Sequence, residues 1–473
     1  MRGELVHYKS TNLIDDALYA YRIKRSKIRY SGTNIGKLIE MLHAFLFVKI
    51  RIKAKVEKID LLIFTHYQFK WLGLDEISNN LPLNSKIVYP DGMVGNDTDA
   101  FQIKSIYWNE IFLFYKHMIM GVIKFLWSIK ININLFSQLL TMWKFIYIHK
   151  SLFKKYNIRI ILSGFESPIS MGAIAVASDN EKMASFDSLW SIGENPIEFA
   201  STQNRVSDRY FIWGRWHHDL MIASNDRSKG HILTGYIGDR HIPSMKAKGK
   251  IFRNKHLKTH SKIITIFDSG FGNDVHFYEE IYINLVKSIK LIADDFNALV
   301  VIKSKKGDNR YADIIKLDNK GFVIDNEKGS LVAALSSDVV IGVGSSGPAS
   351  ISAVHGLQTI LYDPNKLVWD KWSSYENYCP KARSLSELQT ILRGILSFEI
   401  TKEMPYPKYI DPYGDYMAQK RMEDYIQNVF DNLHLGKNKS MKLADDKYIK
   451  LWGDDKVIIK ENSNKVLNQK EHY

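Results

Sequence analysis

Three acidic residues in this chain of 473 stand just past apolar runs: Asp91 after Lys86–Tyr89, Glu166 after Ile158–Leu162, and Asp268 after Ile263–Phe267. An acid at the carboxyl end of a buried strand projects toward the crevice at that edge of its sheet, where it can take a proton from an attacking hydroxyl. The same residue types also cap helices and close turns, so each keeps a second reading as a cap or turn residue.

Positive charge for a phosphate has an equally local source. Lys303 and Lys305 flank Ser304 at the end of the apolar run Ala298–Lys303. Two ammonium groups at a strand end suit a phosphoryl group, and they also suit a plain solvated edge. Further along, Val339–Val343 is apolar without alternation, as expected of a strand buried on both faces. Gly342, Gly344, Ser345, Ser346 and Gly347 follow or end it, and Pro348 is placed as the first residue of a helix. A strand, a small-residue turn and a helix N-terminus leave backbone N–H groups facing the sheet edge, which makes a cradle for a nucleotide phosphate. Turn geometry alone would also account for the glycines.

Metal chemistry has two weaker candidates. Asp97-Thr98-Asp99 could hold a divalent cation against a diphosphate, but it follows Gly95-Asn96 rather than an apolar strand, the setting of ordinary turn acids. His217-His218-Asp219 lacks a third or fourth ligand at usable spacing and reads as a cap with a surface pair of histidines. Neither a metal nor a cofactor is expected.

The elements that must position these residues fall into two series. Strands are expected at Ile59–Thr65, Lys86–Tyr89, Ile158–Leu162, Met183–Phe186, Tyr210–Trp213 and His231–Thr234, with helices dominating from about 101 to 156 and from Ile169 to Ser178. A second alternation runs through Ile263–Phe267, a helix over about 277–294, Ala298–Lys303, Phe322–Asp325, a helix from Leu331, Val339–Val343 with its helix, and Thr359–Tyr362. Strands alternating with helices predict parallel sheets, hence an α/β chain with two Rossmann-like lobes. The boundaries expected are a first lobe over 1–235 with a helical insertion at about 101–156, a linker over 236–262 where periodicity fades and basic residues gather, and a second lobe over 263–410. A crossing helix within 411–433 and a basic tail over 434–473 complete the chain, the tail carrying one hairpin signal, Tyr448–Trp452 with Val457–Lys460 around Gly453-Asp454-Asp455.

A formal net charge of +14 calls for an anionic partner. Nucleic acid is not expected, because no nucleic-acid module is recognisable and the aromatic residues cluster in apolar stretches rather than among basic ones. The segment Ile106–Tyr156 mixes lysines with aromatic and aliphatic residues, a composition that suits either a helix pair lying on anionic lipid or core helices with solvated lysines. None of its apolar runs reaches the roughly 18 residues a spanning helix needs. The single cysteine, Cys379, excludes an internal disulfide and fits a reducing compartment, and Met1–Lys9 has no apolar signal region. A cytoplasmic protein, peripheral on the inner face of the cell membrane if Ile106–Tyr156 meets lipid, is the expectation.

Four short features taken in order give the chain a resemblance to nucleotide-sugar glycosyltransferases of the two-Rossmann (GT-B) architecture, and within them to bacterial capsule and surface-polysaccharide enzymes. They are Trp213-Gly214, Ile302-Lys303-Ser304-Lys305, Val343-Gly344-Ser345-Ser346-Gly347, and Asp411-Pro412-Tyr413-Gly414-Asp415 with Arg421. The resemblance covers about 158–426. It implies a nucleotide-sugar donor held by Lys303, Lys305 and Gly344–Gly347, a surface-polysaccharide or lipid-linked glycan acceptor, and a base in the first lobe, which puts Asp91 and Glu166 ahead of Asp268. Tyr89-Pro90-Asp91-Gly92 and Ser345-Ser346 also resemble parts of the site of CMP-sugar transferases, but the His-Pro pair of those enzymes is absent. A non-catalytic nucleotide-binding scaffold and a CDP-polyol phosphotransferase of teichoic-acid type remain alternatives.

Overall fold

The protein is represented by a computed structural model that describes residues 58–65, 73–88, 116, 133–164, 168–189, 206–223, 226–267, 279–303, 321–325, 330–344, 346–365, 379–397 and 408–460. The first unit alternates β1 (Leu61–Phe64), α1 (Leu74–Asn80), β2 (Ser85–Val88), α2 (Ile133–Tyr156), β3 (Ile160–Ser163), α3 (Pro168–Ser178), β4 (Ala184–Ser188), β5 (Arg209–Ile212), α4 (Arg215–Ala223) and β6 (Gly230–Leu233). The second comprises α5 (Ile242–His256), β7 (Lys262–Phe267), α6 (Glu279–Asp295), β8 (Ala298–Lys303), β9 (Phe322–Ile324), α7 (Ser330–Leu335), β10 (Val339–Val343), α8 (Gly347–Val354), β11 (Thr359–Tyr362), β12 (Lys381–Ala382) and α9 (Leu385–Leu396). The described residues end with α10 (Ala418–Asn432), α11 (Lys437–Trp452) and β13 (Val457–Ile459).

These strands form two sheets, a seven-stranded one in the order β13-β6-β5-β4-β3-β1-β2 and a six-stranded one in the order β12-β11-β10-β7-β8-β9. Every pairing is parallel except β13 on β6, where Val457 lies opposite Ile232. The parallel pairing follows from the residues: β1, β3, β8 and β10 are apolar at nearly every position and buried throughout, so both faces must be covered by helices. Two Rossmann-like halves result, as the strand–helix alternation predicts.

Each sheet reverses its winding once. In the first, the chain leaves β1 for β2 on one side and returns to β3 on the other; in the second, it leaves β7 for β8 and β9, then crosses to β10 on the opposite side. The crevices outside the carboxyl ends of β1/β3 and β7/β10 are therefore the topological switch points, where open α/β sheets take their ligands.

Two of the short sequence features turn out to be one physical unit. The backbone at Tyr409–Asp411 lies across the turns that end β5 and β6: Trp216 donates its N–H to the Tyr409 carbonyl at 3.0 Å, and the Asp411 carboxylate accepts from the Tyr236 N–H at 3.0 Å. Gly214 permits this approach, since a Cβ there would lie 2.3 Å from the Ile410 carbonyl oxygen. Arg421, wholly buried, donates to the Thr234 carbonyl at 3.1 Å, pairs with Asp415, and lies between the Tyr413 and Trp452 rings with its guanidinium carbon 3.4 Å and 4.3 Å from their centroids. Stacking and hydrogen bonding together keep that buried charge compensated.

The closing helices belong physically to the first sheet. Tyr425 of α10 meets Phe186 and Phe211 edge-on, and Glu423 accepts from Asn80 of α1 at 2.7 Å. From α11, Asp445 pairs with Arg209 (Nε to Oδ1 3.2 Å) and Tyr448 donates to the Leu233 carbonyl at 2.7 Å.

Several elements differ from expectation. The stretch 236–262, read as aperiodic, contains α5, which packs on α7 of the second unit; Gly249 faces Val332 and Leu335 there. Only two of its residues, Ile242 and Gly249, are buried, so it shows no apolar stripe for the periodicity to reveal. The tail is not a hairpin either. Tyr448–Trp452 is the last turn of α11, and β13 pairs with β6 some 220 residues earlier. The expected insertion at 101–156 is described as the helix α2 from Ile133 onward, and no helix among the described residues is long and apolar enough to cross a membrane.

Candidate functional site

At the second switch point the chain rises through β10 and turns at Gly344, whose φ of 57° lies in the left-handed region that glycine tolerates. The Gly344 N–H is held by the Tyr362 carbonyl at 2.8 Å, which ties the turn to β11. Ser346 is the N-cap of α8, with extended backbone, and its N–H bonds to the Gly344 carbonyl at 2.9 Å. Its hydroxyl makes no cap bond to the helix, although it is almost fully buried. Gly347 and Pro348 then open the helix, Pro348 supplying no N–H. The Ser346 side chain thus leaves the first turn of α8 uncapped at the carboxyl edge of the sheet, the arrangement in which helix N–H groups can donate to phosphate oxygens.

A further glycine fixes how close the helix lies. A Cβ on Gly342 would sit 2.4 Å from the Ala349 Cβ, so α8 presses directly on β10. Nothing in the run Val339–Val343 alone distinguishes that glycine from a turn glycine; its packing role needs the Ala349 contact.

Two ion pairs flank this turn along the same edge. Lys303, the last residue of β8, donates to Asp325, just beyond β9, at 3.0 Å, and both side chains are buried. On the other side Asp363, just beyond β11, pairs with Arg383. Asp325 and Asp363 each follow an apolar run as Asp91, Glu166 and Asp268 do, so the sequence carries the same signal for them. Lys303, Gly344, Ser346 and Gly347 are thus placed on one sheet edge, with Lys303 neutralised by its neighbour.

Asp91, Glu166, Asp268, Lys305 and Ser345 lie outside the described residues, as do Asp97 and Asp99. Their strands are described. Asp91 follows β2, the edge strand of the first sheet; Glu166 follows β3 and Asp268 follows β7, each strand flanking a switch point. Beside Glu166, the backbone N–H of Gly164 bonds to the Phe64 carbonyl at 3.0 Å, and a Cβ on Gly164 would meet the Leu74 Cδ1 at 1.8 Å. Helix α1 therefore packs against the residue that follows β3.

The histidine pair corrects the sequence reading. His217 and His218 are buried rather than on the surface. His217 sits between the Trp213 and Trp216 rings, 4.9 Å and 5.1 Å away, with no hydrogen-bond partner on either nitrogen, and burial lowers its pKa to about 3. His218 Nδ1 lies 2.8 Å from His231 Nδ1, whose Nε2 lies 2.8 Å from Asp226 Oδ2, and Lys460 reaches the same carboxylate. Burial, then the neighbouring His231, lowers His218 to about 3. Among the described residues no group of three or more histidine, cysteine or acidic side chains is arranged to hold a metal ion. The network ties α4 and β6 to Lys460, the residue that follows β13.

No family model matches the sequence, and no curated protein matches it. Solved structures do share the architecture. A protein of Listeria monocytogenes described as a UDP-N-acetylglucosamine 2-epimerase superposes with a TM-score of 0.52 at 10% identity, covering 79% of this chain and 97% of its own. MnaA of S. aureus, solved with UDP, gives 0.49 at 11% identity over 79% and 97%. The wall teichoic acid polymerase TagF gives 0.46 at 11% identity over 85% and 99%. At such identity the Listeria superposition is a likeness of fold alone, and it agrees with the two sheets and their switch points: a GT-B-type α/β fold with two Rossmann-like halves.

Proposed function

We propose that the protein transfers a sugar from a nucleotide-activated donor to a hydroxyl of a surface-polysaccharide or lipid-linked glycan acceptor. The observation that carries this reading is the uncapped N-terminus of α8 at the switch point of the second sheet, opened by Gly344, Ser346 and Gly347. The donor phosphates lie against that turn, which includes Ser345 in sequence, with Lys305 two residues beyond the end of β8. Lys303 contributes when a phosphate competes with Asp325 for its ammonium group, so donor binding and the Lys303–Asp325 pair are coupled. The acceptor meets the first sheet, and Glu166 takes its proton, because Glu166 follows a strand at the switch point whereas Asp91 follows an edge strand. Asp268, which follows β7 at the second switch point, is the next candidate for the base. No metal is required in this scheme, since helix N–H groups and lysines supply the positive charge for the departing phosphate.

Titration calorimetry with CMP, CDP, UDP and GDP tests it. One nucleotide should bind to the parent, and Ser345→Ala/Ser346→Ala should bind it at least tenfold more weakly with an unchanged melting temperature. If no nucleotide binds, or if the double variant binds as the parent does, the cradle is elsewhere. Binding without donor turnover on any glycan acceptor would leave the scaffold reading, and turnover of a CDP-polyol would assign phosphopolyol transfer instead.

A further inference from the structure

Helix α11 is anchored by one face and bare on the other. Lys437, Ser440, Met441, Ala444, Asp445 and Tyr448 are buried against α10 and the first sheet. The opposite face exposes Lys439, Lys442, Lys447 and Lys450 to solvent together with Leu443 and Leu451, which are 39% and 57% exposed. The only exposed acid among them is Asp446. Residues 439, 443, 447 and 450 succeed one another at helical spacing, so lysine and leucine share one surface stripe rather than facing apart.

We propose that this face of α11 docks the protein on an anionic phospholipid surface. Charge complementarity selects an anionic partner, and the exposed leucines select lipid, because apolar side chains among lysines gain from the acyl boundary but nothing from a phosphodiester backbone. The helix needs no rearrangement to bind. Its inner face is already fixed by the Arg209–Asp445 pair and by Tyr448, so the lysines are presented on a rigid element. The proposal is independent of the donor reading, since it places no substrate and uses no residue of the second sheet.

Co-sedimentation of the full chain with vesicles of equimolar phosphatidylglycerol and phosphatidylcholine tests it, with pure phosphatidylcholine as the uncharged comparison. The parent should bind the anionic vesicles at low salt and be released at high salt. Replacing Lys439, Lys442, Lys447 and Lys450 by Gln should weaken binding by on the order of fivefold per lysine. Leu443→Ser/Leu451→Ser should also weaken it, by a factor that persists at high salt. A comparison variant with Lys248, Lys250, Lys255 and Lys258 of α5 and its end changed to Gln removes the same charge elsewhere and should bind nearly as the parent does. Thermal melts of all variants separate lost docking from lost folding. Parent-like binding by the α11 lysine variant, or equal losses in the two lysine variants, overturns the proposal. Retention of duplex DNA that depends on the lysines but not the leucines would reassign the face to nucleic acid.

Discussion

Glu166 and Asp91 are chemically alike, and what separates them is which strand each follows. If Glu166 is the base, Glu166→Gln should lower turnover by roughly 10² to 10⁴ while leaving nucleotide affinity nearly intact, and Asp91→Asn should cost far less. Steady-state rates beside calorimetric affinities decide this, and the reverse ranking would move the base to the edge strand. At Gly214 the argument is steric. A methyl group at that position meets the Ile410 backbone, which cannot move without releasing Asp411 from Tyr236. Gly214→Ala should therefore cost about 1–3 kcal/mol in denaturant unfolding. Gly356, where a Cβ meets nothing within 4 Å, is a poor comparison, because its φ of 79° strains any replacement.

At the scale of elements, Arg421 ties α10 and the Tyr413 turn to the end of β6. Removing its charge leaves the Thr234 carbonyl without this donor and opens the gap between Tyr413 and Trp452, so Arg421→Ala should destabilise by about 3–5 kcal/mol. A variant that melts like the parent would show that the stack contributes little. Sequence patterns revealed the regular part of this architecture, because strands buried on both faces leave unbroken apolar runs such as Leu61–Phe64 and Val339–Val343. They revealed the Gly344–Gly347 turn for the same reason, local chemistry at a local signal. They missed α5, whose buried contacts are too few to make a stripe, and misread α11, whose aromatic and aliphatic Tyr448–Trp452 end is followed by Gly453-Asp454-Asp455, a turn signal that also suits a hairpin. The Trp213-Gly214 and Asp411–Arg421 features were visible separately, but their union was not, since about 200 residues lie between them and only packing joins them. His217 was misread because its neighbours, two tryptophans, bury it without leaving a polar partner to betray the fact.

The whole molecule carries buried titratable groups whose effects on stability oppose one another. Burial lowers His149 and His355 to about 4 and His217 and His218 to about 3, so each prefers to be neutral in the folded protein. Their contribution is complete above the ordinary histidine value near 6.5 and is lost as pH falls toward 4 for His149 and His355 and toward 3 for His217 and His218. Unfolding free energy should drop steeply over that window, and His217→Phe should flatten the drop. Asp239 acts the other way. Burial, then the neighbouring Asp411, pushes its carboxyl up to about 7. Its stabilising share is present below about 4 and is lost as pH rises to 7, so Asp239→Asn should match the parent in acid and exceed it by a few kcal/mol at pH 8. Equal melting temperatures at pH 8 would contradict the buried-acid account. The placement of β13 has a further consequence, for synthesis. The first sheet is completed by a strand made roughly 220 residues after β6, and α10 and α11, which cover it, also come late. A ribosome adding about 5–20 residues per second leaves that sheet edge unpaired for on the order of ten to forty seconds. The first half of the chain must wait, half-finished and in need of shelter, for the residues of β13 to leave the exit tunnel.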